Sequence, residues 1–158
     1  MKKNITALSF TPKYDELEDR IRLSINYDDI QNRVDLMITR GFVLKLFPIL
    51  DEYMLKFYNI DLTTSNDIDM NAPAKEKVKN NNATSLTDGA NLELYHQEDE
   101  LLIEVNFSYT KATRLSIIKF RSKSSEVTAQ LNATSMKQVF TMIKSSIPFF
   151  SWGISHNL

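Results

Sequence analysis

Few side chains in this sequence have the types and spacing that catalysis or metal binding requires. The two histidines, His96 and His156, form no HxH, HxxxH or HExxH pattern, and these are the spacings at which histidines commonly bind metal. The three glycines lie far apart, so neither a P-loop nor a GxGxxG motif is present. Cysteine is absent, which excludes disulfides, thiolate metal sites and cysteine nucleophiles. We therefore expect no catalytic residue, no metal site and no cofactor.

Carboxylates form two clusters near the N-terminus. Paired acids can serve acid–base catalysis or bind divalent ions, but these acids fall between segments that have the pattern of strands. Acidic residues at such positions favour turn geometry and solvate the chain. We interpret both clusters as solvated turns, and a small enzyme is the third of our functional hypotheses. The clusters comprise Asp15, Glu16, Glu18 and Asp19, and then Asp28 and Asp29.

Charge is distributed unevenly along the chain, although the formal net charge is only −1. From Ser108 to the C-terminus there are seven basic residues and one acid, a balance of +6. The first 70 residues hold nine basic and twelve acidic residues, a balance of −3. An acidic half and a basic half would complement a partner, or another copy of the chain.

Three basic residues of the second half, Lys119, Arg121 and Lys123, form a row on one face of a predicted hairpin strand if that strand continues as far as Lys123. Such a row could follow a phosphate backbone, with Phe107, Tyr109 and Phe120 available to stack on bases. The alternative is that the aromatic side chains belong to the core and the basic ones keep the solvent face soluble, which is the commoner arrangement. The candidate nucleic-acid or partner-binding residues are Lys111, Arg114, Lys119, Arg121 and Lys123.

The C-terminal segment is unusually aromatic. Phe149, Phe150 and Trp152 follow Pro148, which is expected to end the preceding helix. These three residues are candidates for an aromatic anchor that binds a partner, because interface aromatic residues often contribute much of the binding energy. Folding back onto the core is the commoner outcome.

Apolar periodicity predicts the elements of the first half. The segments 20–27 and 34–38 alternate with period two and indicate half-buried strands, and a shorter strand is expected around Leu8 and Phe10. An apolar stripe with helical period follows from Thr39, its plausible N-cap, to Tyr58. Pro48 lies inside that stripe and predicts a kink or a restart of the helix.

The second half repeats this order after a polar segment, residues 60–90, which we interpret as a flexible linker. Strands are predicted from Leu92, from Leu101, from Leu115 and from Val127. A second helix is predicted to begin at Ser135, which forms a capping-box pattern with Gln138. Its stripe consists of Met136, Val139, Phe140, Ile143 and Ile147.

These patterns predict an α+β fold with antiparallel sheet and two main amphipathic helices. The arrangement of strands followed by a helix occurs twice, in residues 1–59 and 91–158, which suggests a pseudo-duplicated single domain joined by the 60–90 linker. VDLMITRGFVLKLF resembles VTAQLNATSMKQVF, and EDRIRLSINY resembles EDELLIEVNFSY. The order of elements is similar to the single-stranded-DNA-binding fold of the PC4 and Whirly type, except that the first half is predicted to have one strand fewer. That resemblance implies binding of single-stranded nucleic acid.

The leading hypothesis is a non-enzymatic binding or assembly module that acts through a protein partner or self-association. Single-stranded nucleic-acid binding is the alternative. No window approaches about 18 uninterrupted apolar residues, so we expect no transmembrane helix and no membrane partner. The lack of cysteine and of an apolar signal segment favours the cytoplasm.

Overall fold

The computed structural model describes residues 2–61 and 100–155, with only the backbone of Glu100. All but the first two residues of the predicted linker lie outside these ranges, as do the strand predicted at Leu92 and both histidines. The described elements, in chain order, are β1 (Lys3–Thr6), β2 (Phe10–Asp15), β3 (Arg20–Ile25), β4 (Val34–Ile38), α1 (Arg40–Tyr58), β5 (Glu100–Leu101), β6 (Glu104–Thr110), β7 (Leu115–Arg121), β8 (Ser125–Leu131), α2 (Ala133–Ser145) and α3 (Phe149–Trp152).

The strands form two four-stranded sheets. The first sheet has the order β1-β8-β7-β6 and the second has the order β2-β3-β4-β5. Neighbouring strands are antiparallel except at one edge of each sheet, where β1 runs parallel to β8 and β5 runs parallel to β4. The fold is therefore mixed α+β with mainly antiparallel sheets, as the sequence predicts. The short strand β1, from the N-terminal part of the chain, lies in the sheet with β6, β7 and β8. The short strand β5, from the C-terminal part, lies in the sheet with β2, β3 and β4.

The first half has four strands before its helix, and the prediction of three strands was wrong. The strand expected around Leu8 and Phe10 begins only at Phe10, because across residues 7–9 the chain leaves β1 of the first sheet and enters β2 of the second. Leu8 itself is 85% exposed. The side chain of Asn26 fixes this crossing by accepting the backbone N–H of Leu8 (2.8 Å) and donating to the carbonyl of Thr6 (3.0 Å).

Helix α1 is continuous across Pro48, so the alternative of a restarted helix was wrong. Pro48 lies on the exposed side of the helix, where water can reach the carbonyl group that loses its backbone hydrogen bond. The prediction of Thr39 as N-cap is confirmed: its hydroxyl accepts the N–H of Phe42 at 3.2 Å. The predicted apolar stripe is confirmed by its buried residues Val43, Leu46, Phe47, Leu50 and Met54.

Helix α2 begins earlier than the sequence predicts. The N-cap is Asn132, whose side chain accepts the N–H of Ser135 at 2.8 Å, so the proposed cap at Ser135 was wrong. Asn at an N-cap satisfies a backbone donor as well as Ser does, and the strand β8 ends immediately before it. The stripe of α2 is buried as predicted from Met136 to Ile143, but the helix ends at Ser145, so Ile147 is buried beyond its end.

One apolar core joins both sheets and both longer helices. Phe10 of the second sheet meets Phe120 of the first, with ring centroids 5.9 Å apart. Phe47 of α1 meets Phe140 of α2 edge to face at 6.5 Å. Such aromatic pairs add about 1 kcal/mol each beyond the area they bury. The core therefore belongs to neither half of the chain alone.

Candidate functional site

The predicted basic row lies on the outer face of the first sheet, where acidic residues partly neutralise it. Arg121 Nη1 lies 2.6 Å from Glu104 Oε2, across the β6–β7 pair. Glu126 of β8 approaches both Lys119, at 3.8 Å, and Arg121, at 3.7 Å. Two cations thus face two carboxylates, so this part of the row presents little excess charge to a phosphate backbone.

The aromatic residues proposed to stack on bases lie on the opposite face of that sheet. Phe120 is 1% exposed and belongs to the core. Tyr109 stacks on Phe57 of α1 at 4.7 Å between centroids, and Phe107 lies 5.1 Å from Tyr53. Because successive side chains of a strand point to opposite faces, these rings and the basic row do not share a surface.

The remaining basic candidates lie at the two ends of β7. Lys111 and Arg114 are exposed in the four-residue loop between β6 and β7, which we call the basic hairpin (residues 111–114). Lys123 is exposed beyond the other end of the strand, roughly 30 Å from Arg114 at the rise of an extended strand. Among the described residues, no ion pair joins any of these three side chains.

The basic hairpin is held by a buried group of hydroxyls. Ser116 Oγ lies 2.7 Å from the hydroxyl oxygens of both Tyr53 and Tyr58, and the Tyr58 hydroxyl donates to the carbonyl of Arg114 at 3.1 Å. Burial raises the pKa of Tyr53. These hydroxyls satisfy one another and have no adjacent base among the described residues, so they anchor α1 to the hairpin and form no nucleophile site.

The first acidic cluster forms the equivalent loop of the second sheet. The four residues between β2 and β3, Glu16 to Asp19, form what we call the acidic hairpin (residues 16–19). Leu17 at its tip is 97% exposed. An open cleft of about 310 Å³ lies beside it, lined by residues of both charge signs that include Lys13 and Arg22.

Asp19 links the acidic hairpin to β2 and to α3 through two side-chain hydrogen bonds. Its Oδ1 accepts the Tyr14 hydroxyl and the Trp152 indole N–H, each at 2.6 Å. These bonds lower the pKa of Asp19, and the bond with Asp19 raises the pKa of Tyr14 to about 12. Asp19 was interpreted only as a solvating turn residue, because its two partners lie on different elements and no sequence spacing links them.

The structure separates the three aromatic residues of the C-terminal segment. Trp152 is 5% exposed and packs edge to face on Tyr14 at 6.1 Å, so it is part of the core. Arg40 Nε donates to the carbonyl of Trp152 at 2.7 Å, which fixes α3 against α1. Phe149 is half-buried, whereas Phe150 is 99% exposed. Only Phe150 therefore retains the exposure that an aromatic anchor requires.

A buried ion pair on the second sheet also escaped the sequence reasoning. Arg33 and Asp35 form two parallel hydrogen bonds, both 3.0 Å long, and both side chains are 6% exposed. The guanidinium carbon of Arg33 also lies 4.2 Å from the centre of the Tyr27 ring. The only available signal was an Arg next to a predicted strand, which is too common to identify a buried pair.

Comparison with known proteins yields no match to a family model, to a curated protein or to a solved structure. In the described ranges, no three His, Cys, Asp or Glu side chains converge as metal ligands. No helix within those ranges has the length and apolarity needed to cross a membrane.

Proposed function

We propose that this chain is a non-enzymatic binding and assembly module that acts through a protein partner or through self-association. The observation that carries the proposal is the pair of hairpins at equivalent positions in the two sheets. Both loops have four residues, and both end in a residue with a left-handed backbone, Asp19 at φ 53° and Arg114 at φ 55°. One loop carries three acids and an exposed leucine, and the other carries two bases.

Complementary hairpins provide orientation and specificity more than affinity. Exposed charges on loops attract a partner over about one Debye length, roughly 8 to 10 Å at physiological salt. The exposed side chain of Leu17 adds apolar area that a partner would bury. The binding partner we expect is therefore a protein surface of opposite charge, or the opposite hairpin of another copy.

We further propose that the fold is pseudo-duplicated. The helix caps Thr39 and Asn132 each follow directly on the last strand of their half. The first four buried residues of each helix lie 4, 7, 8 and 11 positions after the cap. They are Val43, Leu46, Phe47 and Leu50 in α1 and Met136, Val139, Phe140 and Ile143 in α2. The exchange of the parallel strands β1 and β5 between the sheets also supports this proposal.

Sedimentation velocity at two salt concentrations tests the role of the hairpins. The double variant Lys111→Glu/Arg114→Glu is expected to lose salt-sensitive association, and so is Glu16→Lys/Glu18→Lys. An equimolar mixture of the two variants should associate again, because one then carries two basic hairpins and the other two acidic ones. Lys45→Glu/Lys56→Glu, on the exposed side of α1, makes the same change in net charge as the basic-hairpin variant and serves as its control. Association that survives both hairpin variants would refute their role in self-association.

The same variants distinguish binding to a different protein from self-association. If the purified chain is monomeric at both salt concentrations, the hairpin variants are used in affinity capture from the native source. Partners that bind the wild-type chain and the α1 control, but not the hairpin variants, support the proposal. Capture that is unchanged in all variants would count against it.

Single-stranded nucleic-acid binding is our second proposal. It is supported by the four strands that precede each of the two longer helices, which remove the difference in strand number from the PC4 and Whirly type, although likeness of fold is weak evidence of function. Lys111, Arg114 and Lys123 supply exposed positive charge. Fluorescence anisotropy with a labelled oligonucleotide tests it, since a phosphate-binding protein loses affinity steeply as salt rises. If no salt-sensitive binding is observed at micromolar protein concentrations, this function is excluded.

A small enzyme is the weakest proposal, because the described residues bring together no nucleophile with a base. We propose the cytoplasm as the location, on the ground that the chain contains no cysteine.

A further inference from the structure

The four outer strands of the two sheets differ in how they discourage pairing with another chain. β1 has four residues and β5 has two, which are short edges. β2 contains Pro12, which lacks a backbone donor, and the charged residues Lys13 and Asp15. β6 has seven residues, EVNFSYT, with one charge and neither proline, glycine nor lysine. Of these edges, β6 has the fewest of the usual protective features, a single charge at Glu104.

The outer edge of β6 is also open in the described part of the chain. Its neighbour in the first sheet is β7, to which it pairs from Glu104 to Thr110. An edge strand leaves every second residue's N–H and C=O groups directed away from its sheet. Asn106, Ser108 and Thr110 are exposed on the outer face. The strand therefore presents backbone donors and acceptors together with small polar side chains.

We propose that β6 pairs antiparallel with β6 of a second copy of this chain, around a twofold axis at Phe107. This register pairs all seven residues and places side chains of the same character opposite each other. Val105 then faces Tyr109, and Phe107 faces its own copy, on the side that carries the core. Asn106 faces Ser108, and Glu104 faces Thr110, on the polar side. No like charges are opposed, and aliphatic–aromatic and aromatic pairs are favourable across strands.

A second copy fits this edge better than an unrelated strand, because the strand is complementary to itself about that axis. The axis runs perpendicular to the sheet, so both α1 helices come to lie side by side on the same face. Tyr53 of α1 already covers Phe107, and Ile49, one helical turn before Tyr53, is 55% exposed. Ile49 supplies apolar area that the neighbouring helix would cover.

The inference rests on the proposed function in that it gives self-association a surface of its own, distinct from the hairpins. Contacts made by backbone hydrogen bonds and apolar side chains are insensitive to salt, whereas contacts between charged hairpins are not. Loss of salt-sensitive association and loss of the β6 dimer can therefore be observed separately.

Sedimentation equilibrium of the full chain, from about 1 to about 500 μM, provides the first test. We expect a monomer–dimer equilibrium that persists at high salt and in the hairpin variants. Asn106→Lys/Ser108→Lys places introduced lysines opposite each other across the axis and should weaken dimerisation at least tenfold. Asn4→Lys/Thr6→Lys makes the same change at exposed positions of β1, the other edge of the same sheet, and should leave the dimer intact.

Mixing experiments test whether the partner is a second copy. Asn106→Glu/Ser108→Glu should also be monomeric alone, and native mass spectrometry of its mixture with the lysine variant should find the heterodimer. A wild-type chain that is monomeric at every concentration would overturn the proposal. So would a dimer that the lysine substitutions leave unchanged.

The register has its own test, because the chain contains no cysteine to interfere. In the proposed register Asn106 lies opposite Ser108, at a separation that a disulfide can span. A mixture of Asn106→Cys and Ser108→Cys should form a cross-linked heterodimer on mild oxidation, and neither variant alone should cross-link efficiently. Efficient cross-linking of Asn106→Cys with itself would move the axis to that residue and overturn the pairing about Phe107.

Discussion

A single buried asparagine determines where the chain passes from the first sheet to the second. Asn26 is 5% exposed and has a left-handed backbone at φ 54°, which asparagine tolerates better than most residues. Its amide group makes hydrogen bonds to the backbone of Thr6, Leu8 and Asn32. The alternation of β3 suggested a solvent-facing side chain, because period two cannot reveal that the strand ends at Ile25.

Substituting Asn26 should therefore destabilise the fold by two separable effects. Asn26→Gly removes the side-chain bonds but accepts the backbone, and we expect a loss of about 2 to 3 kcal/mol in the free energy of unfolding. Asn26→Ala adds the strain of a positive φ and should cost roughly 1 kcal/mol more. Urea unfolding followed by circular dichroism measures both values. Equal stability of the two variants would show that the backbone conformation contributes nothing.

At Asp19, a pH-dependent contribution to stability is expected. The folded-state pKa of Asp19 is lowered by its bonds from Tyr14 and Trp152, so the carboxylate stabilises the fold at pH values above its unfolded pKa of about 3.9. That contribution is lost as pH falls through the lower folded-state pKa. Because the pKa of Tyr14 is raised to about 12, the contribution of the same bond to stability is complete below the unfolded tyrosine pKa of about 10 and is lost as pH rises from there through the folded value.

The single tryptophan makes this prediction measurable. Trp152 emission in the wild-type chain should move to longer wavelength only as pH falls below the unfolded pKa of about 3.9. Asp19→Asn keeps an acceptor oxygen and tolerates the left-handed backbone, so it should flatten that transition. Circular dichroism at each pH separates loss of the local bond from global unfolding. Identical emission profiles in both proteins would disprove the assignment to Asp19.

At the scale of elements, alternation and helical period predicted most of the described fold. They identified β3, β4, β6, β7, β8 and the buried stripes of α1 and α2, because each of these elements buries one face. They missed β1, which precedes the strand expected around Leu8 and Phe10, and they merged β5 with β6 in the strand predicted from Leu101. The resemblance of EDRIRLSINY to EDELLIEVNFSY matches β3 with β6, whereas in strand order β3 corresponds to β7. The other similarity matches β4 and its cap with β8 and its cap.

The candidate site was predicted less well than the elements, because it depends on partners distant in sequence. Alternation alone indicates that Phe120 faces away from Lys119 and Arg121, so the separation of aromatic and basic faces was available from the sequence. The pairing of Arg121 with Glu104 was not, since it requires the register of β6 on β7. The same holds for Asp19 and Trp152, which are separated by 133 residues.

Pro48 offers a test at the level of one element. Its ring blocks a backbone hydrogen bond within α1, yet its side chain is exposed and contributes little to the core. Pro48→Ala should restore that bond and raise the free energy of unfolding by about 2 kcal/mol. Leu55→Ala, at a position of α1 that is 55% exposed, serves as the control, with an expected change below about 0.5 kcal/mol. A destabilised Pro48→Ala would show that the local bend of the helix is required for packing.

For the whole molecule, the exchange of edge strands makes the two halves interdependent. β1 completes the first sheet with β8, while β5 completes the second sheet with β4. The apolar core takes residues from both sheets and from both longer helices, so neither half encloses a core of its own. We therefore expect the chain to unfold as one cooperative unit, although its order of elements repeats.

Fragments 1–61 and 100–158, produced separately, test that interdependence. Each fragment alone should lack a cooperative thermal transition, because it exposes apolar residues that the other half covers. Mixed in equal amounts, the two should form a one-to-one complex with a single transition, detectable by circular dichroism and size-exclusion chromatography. Ile5→Asp in the first fragment should prevent assembly, since Ile5 is 6% exposed in β1, opposite Val127. Leu8→Asp, at a position that is 85% exposed, should permit it. A cooperative transition in either isolated fragment would mean that the halves are separate domains, and the exchanged strands would then be a contact between domains.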